Sequence, residues 1–277
     1  MLIRKAAGKH LVWPPGVLLR SKINPVVFFF ALVFALSIPF WVLGQIVPFQ
    51  LLPGLPISAL AAIIPALAAL ILVYKSNRLP GVLQLLRRSF DFKRVKDRRW
   101  YLAYILINPA IAVLAFITIR AGSKALPNPA PLTLAIFPMF IIFFIAGLGE
   151  ELGWSGYATE PLAQRWDTLT AGILLGLVWA AWHFIPLLQA NRSLEWIEWW
   201  SLCTLSLRLI MVWLHISSGK SVFAAALFHA MINMCWQLFP INGSYYDPRV
   251  FSLITFGFAI TVFSAQRLLR KGELQAA

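Results

Sequence analysis

The chain has 277 residues, 60% of them hydrophobic and only 12% charged, where a soluble domain carries about 25% charged residues. An ordinary soluble enzyme and a disordered chain are both excluded, and at about 20 apolar residues per membrane-crossing helix there is room for about eight spans and no large soluble domain. The 24 Lys and Arg against 10 Asp and Glu, a net charge of +14, read on so apolar a chain as the basic bias of cytoplasmic loops, so no nucleic-acid partner is expected.

Apolar runs between polar punctuation predict spans at 26–46, 57–75, 100–120, 132–152, 168–188, 197–217, 221–239 and 249–267. The expected fold is all-α: one polytopic membrane domain over residues 1–277, its helices enclosing an intramembrane cavity, with membrane lipid as its surroundings. The first run, near Pro25, is long enough to be an uncleaved first helix. Nineteen of the 24 basic residues fall on one side. They are Arg4, Lys5, Lys9, Arg20 and Lys22 before the first span, nine in the 76–99 loop and its edge, and Arg165, Lys220, Arg267, Arg270 and Lys271. Arg120, Lys124, Arg192 and Arg249 fall on the other side, and Arg208 lies inside a span. Both termini are therefore expected in the cytoplasm, with the chain in a cell membrane of the prokaryotic inner-membrane kind. The 76–99 loop mixes Leu79, Val82, Leu83, Leu85, Leu86 and Phe90 with basic residues. It reads either as an amphipathic helix on the cytoplasmic leaflet or as a solvated basic loop.

Eight of the ten acids lie in loops, interfacial stretches or span edges. Glu150 and Glu151 instead end the run FPMFIIFFIAGLGEELGW. A carboxylate at mid-bilayer costs at least about 2.5 kcal/mol, so intramembrane acids mark function by default. Being adjacent, the two point about 100° apart on a helix and do not face one cavity equally. Gly153, Gly156 and Pro161 predict a break in the helix just beyond them. Among the histidines, His10 lies in the basic N-terminal segment and His215 near a span end, where it is expected to be interfacial. His183 in GLVWAAWHFIPLL and His229 in AAALFHAMINMCW lie deep in apolar runs. His229 and Asn233 are one helical turn apart and share a face, as are Trp179 and His183. A buried carboxylate acts as a general base on water, a neutral His shares that water, and a His–Asn pair donates to a developing oxyanion. The same set, as Glu150, His183 and His229, also has the composition of a catalytic zinc site. The residues alone leave both mechanisms open.

EELGWSGY at 150–157, WAAWH at 179–183 and HAMIN at 229–233 resemble the three motifs of the CAAX protease and bacteriocin-processing family, which includes the type II CAAX prenyl endopeptidases and the Abi proteins. The resemblance covers residues 130–240 by motif and the whole chain by span count. It implies an intramembrane endopeptidase acting on a membrane-associated or lipidated peptide or protein near the cytoplasmic leaflet. Carried over by motif, Glu150 would activate water with Glu151 beside it, His183 would share the water, and His229 and Asn233 would hold the oxyanion. Trp154 and Trp179 would support the site. Two positions depart from the family pattern: Ser155 stands where an arginine is expected, and Trp179 where a phenylalanine is expected. Arg208 is a candidate to supply the missing charge. A non-catalytic immunity or membrane binding protein on the same scaffold, and a proton relay, are the competing readings.

Overall fold

The computed structural model describes residues 25–122, 126–129, 131, 133–241 and 243–276, the last eight by backbone alone. The basic residues ahead of Pro25, with His10 and Lys124, lie outside them. Nine α-helices carry the described chain. They are α1 (Pro25–Ile46), α2 (Ile64–Arg87), α3 (Arg99–Ala121), α4 (Ile136–Gly153), α5 (Thr159–Arg165), α6 (Thr168–Gln189), α7 (Leu194–Ser218), α8 (Val222–Leu238) and α9 (Pro248–Ala276). A small antiparallel hairpin, β1 (Gln50–Leu52) and β2 (Leu55–Pro56), precedes a 3-10 stretch that leads into α2.

Among the described residues, seven helical segments are long and apolar enough to cross a membrane. The expected span at 221–239 is α8, at 17 residues the short one. By helical rise it is about 26 Å long, less than the hydrocarbon thickness of about 30 Å. It can be short because it lies inside the bundle, packed by α3 and α4. α7 is likewise enclosed, between α6 and α9. The outward faces of α3 and α4 expose Val113, Leu114 and Ile117, and Phe137, Ile141, Ile142 and Ile145. Apolar bands of that extent are the surface of a multi-pass membrane protein, where lipid covers them.

Three helix starts follow their sequence signals. Asp167 accepts from Thr170 N at 2.7 Å, Ser193 from Trp196 N at 3.3 Å and Ser221 from Ala224 N at 3.1 Å, capping α6, α7 and α8. Other expectations are corrected. The helix does not break after Glu151. It passes through one π turn, Trp154–Ala158, into α5. Thr159 Oγ1 donates to the Trp154 carbonyl at 2.8 Å, and Pro161 falls in the first turn of α5, where a missing N–H costs little. Gly153 lets α4 touch α2: a Cβ there would stand 2.4 Å from the Pro65 carbonyl oxygen. Gly153→Ala should therefore push the two helices apart and cost about 1–3 kcal/mol, read as a lower thermal midpoint of the purified protein.

The 76–99 segment is neither a full amphipathic helix nor a free loop. α2 kinks at Arg78 (φ +55°) beside Pro80, which cannot donate to the Ser76 carbonyl, and resumes to Arg87. Two 3-10 turns, Arg88–Phe90 and Phe92–Arg94, then fold back under the bundle. Leu85 is buried there while Leu79, Leu83, Leu86 and Phe90 are exposed. His215, near the end of α7, is enclosed by protein. It is fully buried, with Nδ1 3.2 Å from the Ser221 carbonyl oxygen.

Candidate active site

Two apolar cores, one built on α1, α2 and α6 and one on α3, α7, α8 and α9, meet around a cavity of about 180 Å³. Glu150, His183, His229 and Asn233 all line it. Glu151 and Arg208 do not; both are wholly buried behind Glu150. The 100° offset between adjacent helical residues thus divides the two carboxylates, one toward the cavity and one into the protein.

Glu150 is 5% exposed. Its Oε2 accepts from the indole N–H of Trp179 at 2.8 Å and of Trp154 at 3.3 Å, leaving Oε1 3.7 Å from His229 Nε2. Glu151 holds the other side of the same imidazole, Oε1 to Nδ1 at 2.9 Å. Its Oε2 accepts from Arg208 Nη1 at 2.9 Å and from the Ser155 hydroxyl. Ser155 and Arg208 therefore converge on one carboxylate oxygen. A short hydroxyl stands at the motif position, and the guanidinium arrives from α7 instead.

Trp179 is the hub of the site. Its N–H binds Glu150, the Arg208 guanidinium lies 4.0 Å from its ring centroid, and the rings of His183 and His229 each meet it at 5.3 Å. A phenylalanine would supply the ring but not the N–H, so the departure at this position adds a donor to the carboxylate. His183 Nδ1 lies 2.8 Å from the Trp179 carbonyl oxygen, one turn back on α6. That bond assigns the proton to Nδ1 and leaves the Nε2 lone pair available. Trp182 and Trp200 pack against the His183 ring at 4.8 and 5.2 Å. The Asn233 side chain, one turn beyond His229, makes no hydrogen bond to the described residues.

A metal set does not form. Among the described residues no three His, Cys, Asp or Glu side chains are grouped to hold an ion. These hydrogen bonds engage each imidazole at Nδ1 and Glu150 at Oε2, leaving both Nε2 atoms and Glu150 Oε1 outside them. Glu150, His183 and His229 share a cavity and are not grouped as three metal ligands.

The cavity leads from these residues toward Gly54, Trp236 and Tyr246, at the end of the bundle away from Arg88–Arg99. Along α8, His229 lies about 10 Å from the basic end by helical rise. Tyr246, in the loop before α9, closes the far end with its hydroxyl 3.5 Å from Cys203 Sγ, and burial pushes its phenol well above the usual range.

Two residues that look like ordinary loop charges lock the helices of the site together. Arg88 donates to the Gly156 carbonyl at 2.8 Å and the Lys220 carbonyl at 2.7 Å, so it spans the π turn and the α7–α8 corner. Asp91 accepts from Ser221 Oγ at 2.8 Å and from the amides of Phe223 at 3.1 Å and Val222 at 3.3 Å. It is a second cap on the helix that carries His229 and Asn233. Asp91→Ala should cost about 1–2 kcal/mol, measured as a lower thermal midpoint, with Asp91→Asn closer to wild type.

Residues 131–235 match the family described as Type II CAAX prenyl endopeptidase Rce1-like. Across this segment the chain is similar to the type II CAAX prenyl endopeptidases. The segment contains all three motifs and every candidate residue. The chain is also 26% identical over 244 residues to the CAAX prenyl protease 2 of Methanococcus maripaludis, covering 80% of this chain and 87% of that protein.

Proposed function

We propose that the protein is a membrane-embedded endopeptidase that hydrolyses a peptide bond of a lipidated or membrane-associated substrate with a water activated by Glu150. The observation that carries this reading is the single cavity in which a carboxylate, two imidazoles and a carboxamide meet inside an otherwise apolar wall. The likeness to a CAAX prenyl protease supports the substrate class.

In this reading the water lies between Glu150 and His183 Nε2. Glu150 takes its proton as the hydroxide attacks the scissile carbonyl. The oxyanion receives hydrogen bonds from the Asn233 amide and from His229, which as an imidazolium donates Nδ1–H to Glu151 and Nε2–H to the substrate. Protonated Glu150 returns that proton to the leaving amine, directly or relayed through His183 Nε2, so that one water is consumed per bond cut. Glu151 and Arg208 do not touch substrate; they hold the His229 ring and set the charge behind it. No step passes through a metal.

An absent motif arginine at Ser155 would suit a non-catalytic binding protein on the same scaffold. Arg208 places a guanidinium on the Glu151 oxygen that Ser155 also reaches, which supports the catalytic reading. We further place both termini in the cytoplasm, on the side of the basic loops. Hydrolysis of an S-farnesyl C-a-a-X peptide by purified protein, lost in Glu150→Gln, tests the reading.

A further inference from the structure

The part of α2 beyond its kink has two unlike faces. Ile57–Phe90 is one helical path of 34 residues. By helical rise it is about 50 Å long, against a hydrocarbon core of about 30 Å. The excess is the stretch beyond Arg78, where a positive φ and Pro80 turn the helix. On its outer side Leu79, Leu83, Leu86 and Phe90 are exposed, Phe90 at 73%, and their i, i+4, i+7, i+11 spacing sets them in one stripe. On its inner side Gly81, Leu85 and Arg88 are buried. The surface beside the stripe is basic. Lys75, Arg78, Arg87, Lys93, Lys96 and Arg98 are exposed, and none has a carboxylate partner among the described residues. Both acids of the segment are already taken, Asp91 by the start of α8 and Asp97 by Arg99 at 2.9 Å. A solvated basic loop has no use for the stripe, and a lipid-facing span has none for the cations. Together they fit the headgroup layer of an anionic bilayer, with the apolar side chains among the upper acyl carbons and the cations among phosphates.

Neighbouring residues of this stretch face opposite ways. Arg87 and Phe90 look outward. Arg88 and Asp91 look inward, where Arg88 holds the Gly156 carbonyl of the π turn and Asp91 holds the Ser221 hydroxyl and the Phe223 amide at the start of α8. The π turn directly follows the helix that ends in Glu150 and Glu151, and α8 carries His229 and Asn233. We propose that residues 79–98 form a binding site for anionic phospholipid headgroups, and that an occupied site steadies the π turn and the start of α8. Neither effect depends on Glu150 being a base.

Native mass spectrometry of full-length protein released from nanodiscs of mixed phosphatidylcholine and phosphatidylglycerol tests the binding. Each basic residue near an anionic surface is worth about fivefold in affinity, so phosphatidylglycerol should be retained at least about tenfold over phosphatidylcholine. Arg87→Gln, Lys93→Gln and Lys96→Gln together should abolish that preference, whereas Arg87→Lys with Lys93→Arg and Lys96→Arg, which keeps the charge, should preserve it. A nitroxide on Phe90→Cys protein should collide more with dissolved oxygen than with an aqueous nickel chelate, as a side chain in lipid does. Backbone hydrogen exchange at residues 154–158 and 221–224 should slow severalfold when phosphatidylglycerol is added to phosphatidylcholine nanodiscs, in the wild type and not in the triple glutamine variant. Equal retention of the two lipids overturns the proposal, as does a preference that survives the three glutamines, or exchange that stays the same with phosphatidylglycerol bound. A nitroxide reached chiefly by the chelate also overturns it, and would assign the stripe to water or to a protein partner.

Discussion

Glu150→Gln should abolish peptide hydrolysis by purified protein, with kcat falling at least about 10³-fold, while the protein still folds and inserts. General-base catalysis contributes about 10²–10⁴, and no second carboxylate lines the cavity to substitute for Glu150 among the described residues. The amide is nearly isosteric, and its oxygen still accepts from the Trp179 and Trp154 indoles, so the thermal midpoint should move little. Steady-state kinetics beside a thermal melt checks both halves. A variant that keeps wild-type turnover would move the base elsewhere. Asn233→Ala should lose less, about 10²–10³ in kcat, since it removes one of two oxyanion donors.

Arg208→Met should be the most destabilising single change in the site, by about 3–5 kcal/mol. The cause is what it leaves behind. Glu151 would be left fully buried with only Ser155 and His229 beside it, without its guanidinium partner. Glu151→Leu with Arg208→Met should cost less than the two single changes added together, because the pair leaves together. Ser155→Arg on the Arg208→Met background should recover part of the loss, since position 155 already reaches the same carboxylate oxygen. Thermal midpoints of the wild type and the four variants at one scan rate give the coupling. Additive losses and no rescue would show that Arg208 does not stand in for the motif arginine.

Membrane helices and intramembrane polar residues were legible in the sequence for one reason: polar groups are rare enough in apolar runs to be noticed. Glu150, His183 and His229 stood out in that way, and the i, i+4 spacing put Asn233 and Trp179 beside them. The unequal orientation of Glu150 and Glu151 followed from helical geometry alone. The pairing of Arg208 with Glu151 needed the structure, since they are 57 residues apart on different helices. Arg88 and Asp91 were illegible for the opposite reason. In a segment rich in basic residues, two more charges look solvated, and nothing local shows that one is buried and the other caps a helix 130 residues away. The unbroken α4–α5 path was missed because Gly and Pro signals report local cost, whereas Pro65, Arg88 and Thr159 offset that cost from outside the turn. The short α8 was expected as a full span, because composition counts apolar residues without showing whether lipid or protein surrounds them.

The central claim is that water activated by Glu150, not a covalent nucleophile, cuts the peptide. Mass spectrometry of wild-type protein during a single turnover of an S-farnesyl C-a-a-X peptide in ¹⁸O-labelled water tests it most directly. The expected result is a cleaved product whose new carboxylate carries the label, with the protein's own mass unchanged throughout. An acyl-protein adduct, or an uncleaved peptide, would contradict it.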